Sequence, residues 1–176
     1  MKKVLLPEKI IEEGMVLLAG KVNMVNTRDA SEEAILEEVG DAFGIVLRSG
    51  ARITRRIIEA GKSLKIISRT GAGYDNVDVQ SATEHGIMVC NLPGINSVPV
   101  AEHTIALILA LFKKLPEMDE FVREGHWKKR SLYLPREVNG KTVGIVGLGK
   151  IGRIVMSYCK CLGMSVIAYD PYIKHS

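Results

Sequence analysis

The amino-acid sequence predicts an α/β protein in which short parallel strands alternate with helices. In the first ninety residues, five short apolar segments are separated by segments with a helical pattern. Alternation of this kind is typical of a parallel sheet covered by helices on both faces. Near the C-terminal end, a β-branched segment, a glycine-rich turn and a helical pattern repeat the same order of elements.

The first five strands and their helices can be placed in order. Ser31 and Asp78 each precede a helical pattern and are expected to cap it, because a side-chain oxygen at that position accepts a free backbone N–H. Strands are predicted at 4–6, 22–25, 44–47, 64–68 and 87–91. Helical patterns follow the first strand to about residue 18 and lie at 32–39, 54–60 and 77–84.

A long helix is predicted at 97–114, after the Pro93-Gly94 break. Pro99 fits its first turn, where no N–H is needed. The helix is apolar on almost every side, which is normal for a helix buried all round. We therefore expect a partner subunit to cover it. A second helix at 117–124 follows, and Asn139-Gly140 indicates a turn before the next strand.

Composition is that of an ordinary globular protein and excludes several functional classes. Of the 176 residues, 47% are hydrophobic and 25% charged, and the net charge of +4 is spread along the chain. The longest basic run is 127–130, so nucleic-acid binding is not expected. The longest apolar run, 105–112, is too short to cross a bilayer, and charges near the N-terminus argue against a signal peptide.

Three cysteines, at positions 90, 159 and 161, show no disulfide framework and indicate a reducing, cytoplasmic setting. Cys159 and Cys161 are interpreted as packing residues on different sides of a helix, so no metal site is expected. His103 lies on the apolar helix and is interpreted as a packed or interface residue. No histidine has a nearby acid at a spacing that suggests catalysis.

The sequence GLGKIG at 147–152 has the context of a dinucleotide-binding fingerprint. It follows a strand at 141–146, and a helix, a second strand and Asp170 come after it. Gly147 permits a tight turn, Gly149 allows close approach of a pyrophosphate, and Gly152 lets the helix pack on the strand. The helix N-terminus favours phosphate binding. Asp170 would accept ribose hydroxyls and repel a 2′-phosphate, which predicts NAD rather than NADP.

Two further segments follow predicted strands, where open α/β sheets bind ligands. Gly71 and Gly73, within 69–75, leave successive backbone N–H groups uncovered, which is compatible with an anion nest or with an ordinary turn before the helix that Asp78 caps. Arg48 could bind a carboxylate or phosphate with its guanidinium, or could be a surface arginine. The residues themselves leave both alternatives open.

The order of these motifs resembles that of the D-isomer-specific 2-hydroxyacid dehydrogenases, and most closely their phosphoglycerate dehydrogenase branch. The resemblance covers essentially the whole chain. The motifs are RSGA at 48–51, RTGAGYDNVD at 69–78, NLPGINS at 91–97, VAEH at 100–103, NGKT at 139–142 and GLGKIG at 147–152.

The resemblance implies a flavodoxin-like substrate domain at 1–97, linking and dimerisation helices at 98–138, and an incomplete Rossmann NAD-binding domain at 139–176. It further implies a homodimer formed through helices 97–124. By the same resemblance Ala72 also faces the nicotinamide side of NAD, and Lys150 and Ile151 contact the pyrophosphate. The residues implied to face the substrate carboxylate or phosphate are Arg48, Ser49, Gly50, Gly71, Ala72 and Gly73.

The family's catalytic arginine, glutamate and histidine fall at positions beyond Ser176. We therefore expect no catalytic residue in this chain, which would be the N-terminal part of an NAD-dependent enzyme acting on D-2-hydroxy or 2-keto acids. Alone it should be inactive and bind NAD weakly. The pair Arg48-Ser49 leans towards phosphoglycerate as substrate. Alternatives are a non-catalytic NAD sensor resembling the C-terminal binding protein corepressors, and a dimerisation module.

Overall fold

A computed structural model describes residues 1–132 and 134–173, apart from the side chains at 129 and 130. The chain forms two compact units, the first comprising Met1–Ile95 and the second beginning at Asn96. Within the described residues, no helix has the length and apolar character that crossing a membrane requires.

The first unit is built on a parallel sheet of five strands. These are β1 (Lys3–Leu6), β2 (Asn23–Asn26), β3 (Gly44–Leu47), β4 (Ile66–Arg69) and β5 (Met88–Cys90). The strand order is β2-β1-β3-β4-β5, and all four pairings are parallel. This is the flavodoxin-like order, so the predicted fold class of the first unit is confirmed.

Four helices alternate with these strands: α1 (Glu12–Leu18), α2 (Glu32–Glu38), α3 (Arg55–Ala60) and α4 (Val79–Glu84). Both predicted caps are confirmed. Ser31 accepts the N–H of Ala34 at 3.2 Å, and Asp78 accepts that of Ser81 at 2.8 Å. Thr54 caps α3 in the same way. Helices α2, α3 and α4 and the central strands enclose one continuous apolar core, whose fully buried members include Leu5, Ile35, Leu47, Ile57 and Ile67.

The second unit contains α5 (Ser97–Lys113), α6 (Leu115–Arg123) and a 3₁₀ turn at Trp127–Leu132. It continues with β6 (Thr142–Val146), α7 (Lys150–Cys161) and β7 (Ser165–Tyr169), and the two strands pair in parallel. One face of this sheet packs with α7 and α5 around Ala101, Val155 and Cys159.

In the second unit one prediction, for Cys161, needs correction, and another, for the cover of α5, stays open. Cys159 is fully buried, as a packing residue should be, but Cys161 is exposed, so its interpretation as a packing residue was wrong. The two lie two positions apart on α7 and therefore face different sides. In α5 only Ser97 and Ala101 are buried within this chain, and His103 is exposed. Cover by a partner subunit stays a prediction.

Candidate functional site

Residues predicted to bind ligands occur in both units, and each group lies where parallel strands end. In the first unit the loop Arg48–Ala51, called here the arginine loop, follows β3, and the segment 69–75 continues from β4. In the second unit the segment Gly147–Gly152, called the glycine loop, joins β6 to α7, and Asp170 follows β7. Carboxyl ends of parallel strands are the usual ligand-binding edge of such sheets.

The arginine loop is held by Glu8, a residue to which sequence reasoning gave no role. The Glu8 carboxylate accepts backbone N–H groups from Arg48 at 2.9 Å, Gly50 at 2.9 Å and Ala51 at 3.1 Å. A signal was available, because Glu8 follows β1, which is the neighbour of β3 in a flavodoxin-like order. Parallel neighbours bring their following loops together.

The other side of the arginine loop is fixed by its carbonyl groups. The Asn76 side chain donates to the carbonyl oxygens of Arg48 at 2.9 Å and Ala51 at 2.7 Å. The Arg48 guanidinium donates to the carbonyl of Lys9 at 3.3 Å. The loop is therefore bonded through both its donors and its acceptors, and this limits the positions that the exposed Arg48 and Ser49 can take.

The charge of Glu8 is maintained by these contacts. Burial acts to raise its pKa, but the three backbone hydrogen bonds from Gly50, Ala51 and Arg48, with the positive charge of Arg48, lower the pKa below its ordinary value. Glu8 is therefore ionised at neutral pH, and its negative charge is largely met by N–H donors.

The segment 69–75 begins with a second arginine, at the end of the strand next to β3. Arg69 ends β4, and its register partner on β3 is Leu47, the residue before Arg48. The Arg69 guanidinium lies against Gly71, where a Cβ would overlap it. Arg69 Nε is buried and has no hydrogen-bond partner within the described part of the chain. The sequence motif contained Arg69, but no role had been predicted for it.

The glycines of this segment are held by the residues that follow β5. The Gly71 carbonyl accepts the N–H of Leu92 at 2.9 Å, and the Ala72 carbonyl accepts the Asn91 side chain at 2.7 Å. The N–H of Gly71 donates to the carbonyl of Arg69 at 2.9 Å. The N–H of Gly71, like that of Gly50, is thus engaged inside the chain, and contact of either glycine with substrate stays a prediction.

The glycine loop has three glycines in three different situations. Gly147 has φ 94°, a left-handed conformation that favours glycine. A Cβ on Gly152 would overlap the carbonyl oxygen of Gly147 and lie 3.3 Å from Ile145 Cγ2, so α7 could not pack as it does with any larger residue. Gly149 has no atom within 4 Å of a Cβ position, which leaves open space beside the loop. This arrangement fits a bound pyrophosphate.

Asp170 is attached to the glycine loop. Its carboxylate accepts the N–H of Leu148 at 2.7 Å and that of Tyr172 at 2.9 Å. These two bonds, that of Tyr172 first, lower the pKa of Asp170 below its ordinary value, so it is ionised at neutral pH. Sequence reasoning predicted a ribose acceptor here and did not anticipate the bond to Leu148.

An open depression of about 380 Å³ lies beside the glycine loop within the second unit. Gly147, Ile151 and Gly152 line one part of it, and Thr104 and Ile108 of α5 line another. The N-cap of α7 is Gly149, which has no side chain to accept the first-turn N–H groups. An anion at this helix end would be favoured by those N–H groups and by the helix dipole. Among the residues that the structure covers, no group of three or more His, Cys, Asp or Glu could hold a metal.

Comparison with known proteins gives the family. Residues 4–170 match the model of the D-isomer specific 2-hydroxyacid dehydrogenase catalytic domain. The chain belongs to this family. A D-3-phosphoglycerate dehydrogenase of Archaeoglobus fulgidus is 42% identical over 173 residues, which are 98% of this chain and 33% of that protein. The chain thus spans about a third of the length of the curated relatives it matches.

Solved structures of other proteins have the same fold. A protein of Thermus thermophilus matches with a TM-score of 0.91 at 28% identity, over 98% of this chain and 57% of that one. The NAD⁺-bound 3-phosphoglycerate dehydrogenase of Entamoeba histolytica matches with a TM-score of 0.76 at 32% identity, over 99% of this chain and 55% of that one. The recognition of the family and of the α/β fold class from the sequence is confirmed.

Proposed function

We propose that this chain supplies substrate-binding and cofactor-binding parts of an NAD-dependent dehydrogenase that interconverts D-2-hydroxy acids and 2-keto acids. The observation that carries the proposal is the glycine loop with Asp170 bonded to it at 2.7 Å, since this joins a pyrophosphate-binding turn to a ribose-binding carboxylate. Family membership supports the same reaction class. Bound NAD would supply the hydride acceptor for the hydroxy acid.

In this proposal each residue of the cofactor site contacts a particular part of NAD. Gly147, Gly149 and Gly152 shape the turn, and the backbone at Lys150 and Ile151 meets the pyrophosphate at the start of α7. Asp170 is ionised, so it accepts hydroxyl groups of the adenosine ribose and repels a 2′-phosphate, which favours NAD over NADP. Ala72, in the first unit, is proposed to face the nicotinamide.

The substrate proposed for the first unit is an acid with a second anionic group, such as 3-phosphoglycerate. Arg48 and Arg69 lie at the ends of adjacent strands. Two guanidinium groups can bind a substrate that carries both a carboxylate and a phosphate better than a single guanidinium can. Ser49 is a further donor, and Gly50, Gly71, Ala72 and Gly73 form the proposed backbone wall of this site. The A. fulgidus relative named above is itself a D-3-phosphoglycerate dehydrogenase.

No residue of this chain is assigned to proton transfer or to binding the keto group of the substrate. We therefore propose that the chain by itself does not turn over D-2-hydroxy acids. Steady-state assays with NAD and D-3-phosphoglycerate should give no NADH above the enzyme-free rate. A turnover number typical of dehydrogenases would contradict this proposal.

We also propose a homodimer formed through the helices at 97–124. Large apolar side chains on these helices are exposed, among them Val98, Leu107, Leu111, Leu115 and Val122. An open groove of about 620 Å³ next to Leu111 and Phe112 continues this surface along residues 132 and 134–136. Exposed apolar surface on this scale is typical of an interaction site. A dimer without NAD binding would favour the alternative of a dimerisation module.

Titration of the isotope-labelled chain with NADH, followed by amide NMR, tests the cofactor proposal. Resonances of Gly147–Gly152 and Asp170 should shift, with weak affinity, and NADPH should shift them less. Gly149→Ala should keep the fold, because its Cβ meets no atom within 4 Å, yet weaken NADH binding about tenfold. Absence of any shift at millimolar NADH would contradict the cofactor proposal and its NAD-sensor alternative alike.

A further inference from the structure

Glu8 is separated from the arginine loop by some forty residues of sequence, yet it contacts that loop three times. Its Oε1 accepts the N–H of Gly50, and its Oε2 accepts those of Arg48 and Ala51. Few side chains can satisfy three backbone donors at once, because this requires two acceptor oxygens with four lone-pair directions. The two oxygens of the Glu8 carboxylate meet this requirement.

We propose that Glu8 is a positioning residue for substrate: its carboxylate clamps the arginine loop and so directs Arg48 and Ser49 towards the substrate anion. This inference rests on the proposed function, since it assigns the arginine loop to the substrate. Glu8 itself does not touch the substrate in this proposal.

The clamp determines which groups an anion can use. Without Glu8, the N–H groups of Arg48, Gly50 and Ala51 would form a nest able to bind a carboxylate or phosphate of their own. With Glu8 in place those three N–H donors are occupied, and the hydrogen-bond donors that the arginine loop offers the substrate anion are the side chains of Arg48 and Ser49. A guanidinium binds a carboxylate or phosphate through two parallel N–H donors, and these two bonds fix the orientation of the substrate.

The negative charge of Glu8 does not defeat this role. An uncompensated carboxylate beside an anion site would repel the substrate, but three N–H donors and the charge of Arg48 face it. Asn76 donates to the carbonyl groups of Arg48 and Ala51 in the same loop, so Glu8 and Asn76 together bond both the N–H and the C=O groups of the arginine loop.

The first part of the test is spectroscopic and needs no ligand. In the wild-type chain, the amide resonances of Arg48, Gly50 and Ala51 should titrate together in the acid range, below the ordinary glutamate pKa of 4.5. Arginine keeps its charge in that range and cannot cause the shift. Glu8→Gln should abolish the shared titration, whereas the control Glu13→Gln, an exposed charge in α1, should leave it unchanged.

The second part measures binding of D-3-phosphoglycerate at neutral pH by the same resonances. Glu8→Gln should weaken binding about tenfold, and Glu13→Gln should leave it within about twofold. Gly50→Ala offers an independent variant that retains the acid. Its Cβ would lie 2.9 Å from Glu8 Oε1 and displace the carboxylate, so the same loss is expected.

The outcomes separate this inference from the proposed function. If the three amides share no titration in the wild type, or if Glu8→Gln binds phosphoglycerate as tightly as the wild type, the positioning role is overturned. A wild-type chain that shows the shared titration but never responds to phosphoglycerate upholds the clamp and overturns the proposed substrate class.

Discussion

The two parallel sheets of this chain differ in how completely they are covered. In the first unit the central strands contribute Leu5, Ile45 and Ile67 to a core that excludes water almost entirely. In the second unit one face of the two-stranded sheet packs with α7, while Val146, Ile167 and Tyr169 on the other face are exposed, Val146 by 87%.

The two ligand-binding loops also differ in the contacts that hold them. The positive φ of Gly147 and the close approach of Gly152 to it are local features, and the bond from Leu148 to Asp170 joins the ends of the two paired strands β6 and β7. The arginine loop is held by Glu8, 42 positions from Gly50, and by Asn76, 25 positions from Ala51, and the neighbouring strands β1, β3 and β4 bring these residues together.

The largest expected effect is the loss of one core side chain. Ile67→Ala, in the middle of β4, removes a fully buried side chain and should lower the free energy of unfolding of the first unit by about 2–5 kcal/mol. Ile167→Ala makes the same change on β7 where the side chain is 65% exposed, and should cost less than about 1 kcal/mol. Urea unfolding followed by circular dichroism measures both. Equal losses would contradict the comparison of the two sheets.

The exposed apolar surface of the second unit gives the next largest effect. Leu111→Asp places a charge where the side chain is 76% exposed within one chain, and should weaken the proposed dimer by about 100-fold. Sedimentation equilibrium at micromolar concentration measures the change. Val16→Asp, at an exposed apolar position on α1 outside the proposed interface, is the matched control and should leave association unchanged. A monomeric wild type would contradict the dimer itself.

Most of the fold could be predicted because its signals are local. Each strand and helix was expected within a few residues of where it lies, since apolar alternation and capping residues such as Ser31 and Asp78 act over one or two turns. The three glycines of the glycine loop were likewise recognisable from spacing alone. Family resemblance supplied the strand order, which short-range patterns do not contain.

What the sequence did not reveal depends on long-range contacts. The bonds from the arginine loop to Glu8 join residues about forty positions apart, and Asp170 reaches Leu148 across 22 positions. The exposure of Cys161 was missed because a helical pattern tells which residues share a face and not which face is covered. No role was predicted for Arg69 because its place opposite Leu47, the residue before Arg48, follows from strand pairing.

A smaller effect tests how the helices of the two units begin. In the first unit α4 has a side-chain cap, in which Asp78 accepts a bond at 2.8 Å, whereas Asn96 at the start of α5 makes no such bond. Asp78→Ala should therefore cost about 1 kcal/mol, and Asn96→Ala only a few tenths. Urea unfolding at neutral pH compares the two variants. A loss for Asn96→Ala as large as that for Asp78→Ala would contradict the expected difference between the two helix starts.

The smallest effect concerns acid, and it compares the carboxylates that hold the two loops. Glu8 and Asp170 both have lowered pKa values in the folded chain. For Glu8 burial opposes the shift and the hydrogen bonds from Gly50, Ala51 and Arg48 cause it, whereas for Asp170 the bonds from Tyr172 and Leu148 come first. The folded state then binds fewer protons than the unfolded state, so stability rises with pH across the titration.

Each contribution is complete above the ordinary pKa, 4.5 for Glu8 and 3.8 for Asp170, and is lost as the pH falls through the lower folded value. Solvent screening keeps the Glu8 contribution below about 1 kcal/mol. Glu8→Gln should therefore flatten the acid limb of a plot of unfolding free energy against pH, and Asp170→Asn should flatten it at lower pH. If both variants retain the wild-type slope, the hydrogen bonds of Glu8 and Asp170 add nothing to the free energy of unfolding, and the backbone alone would determine the shape of the two loops.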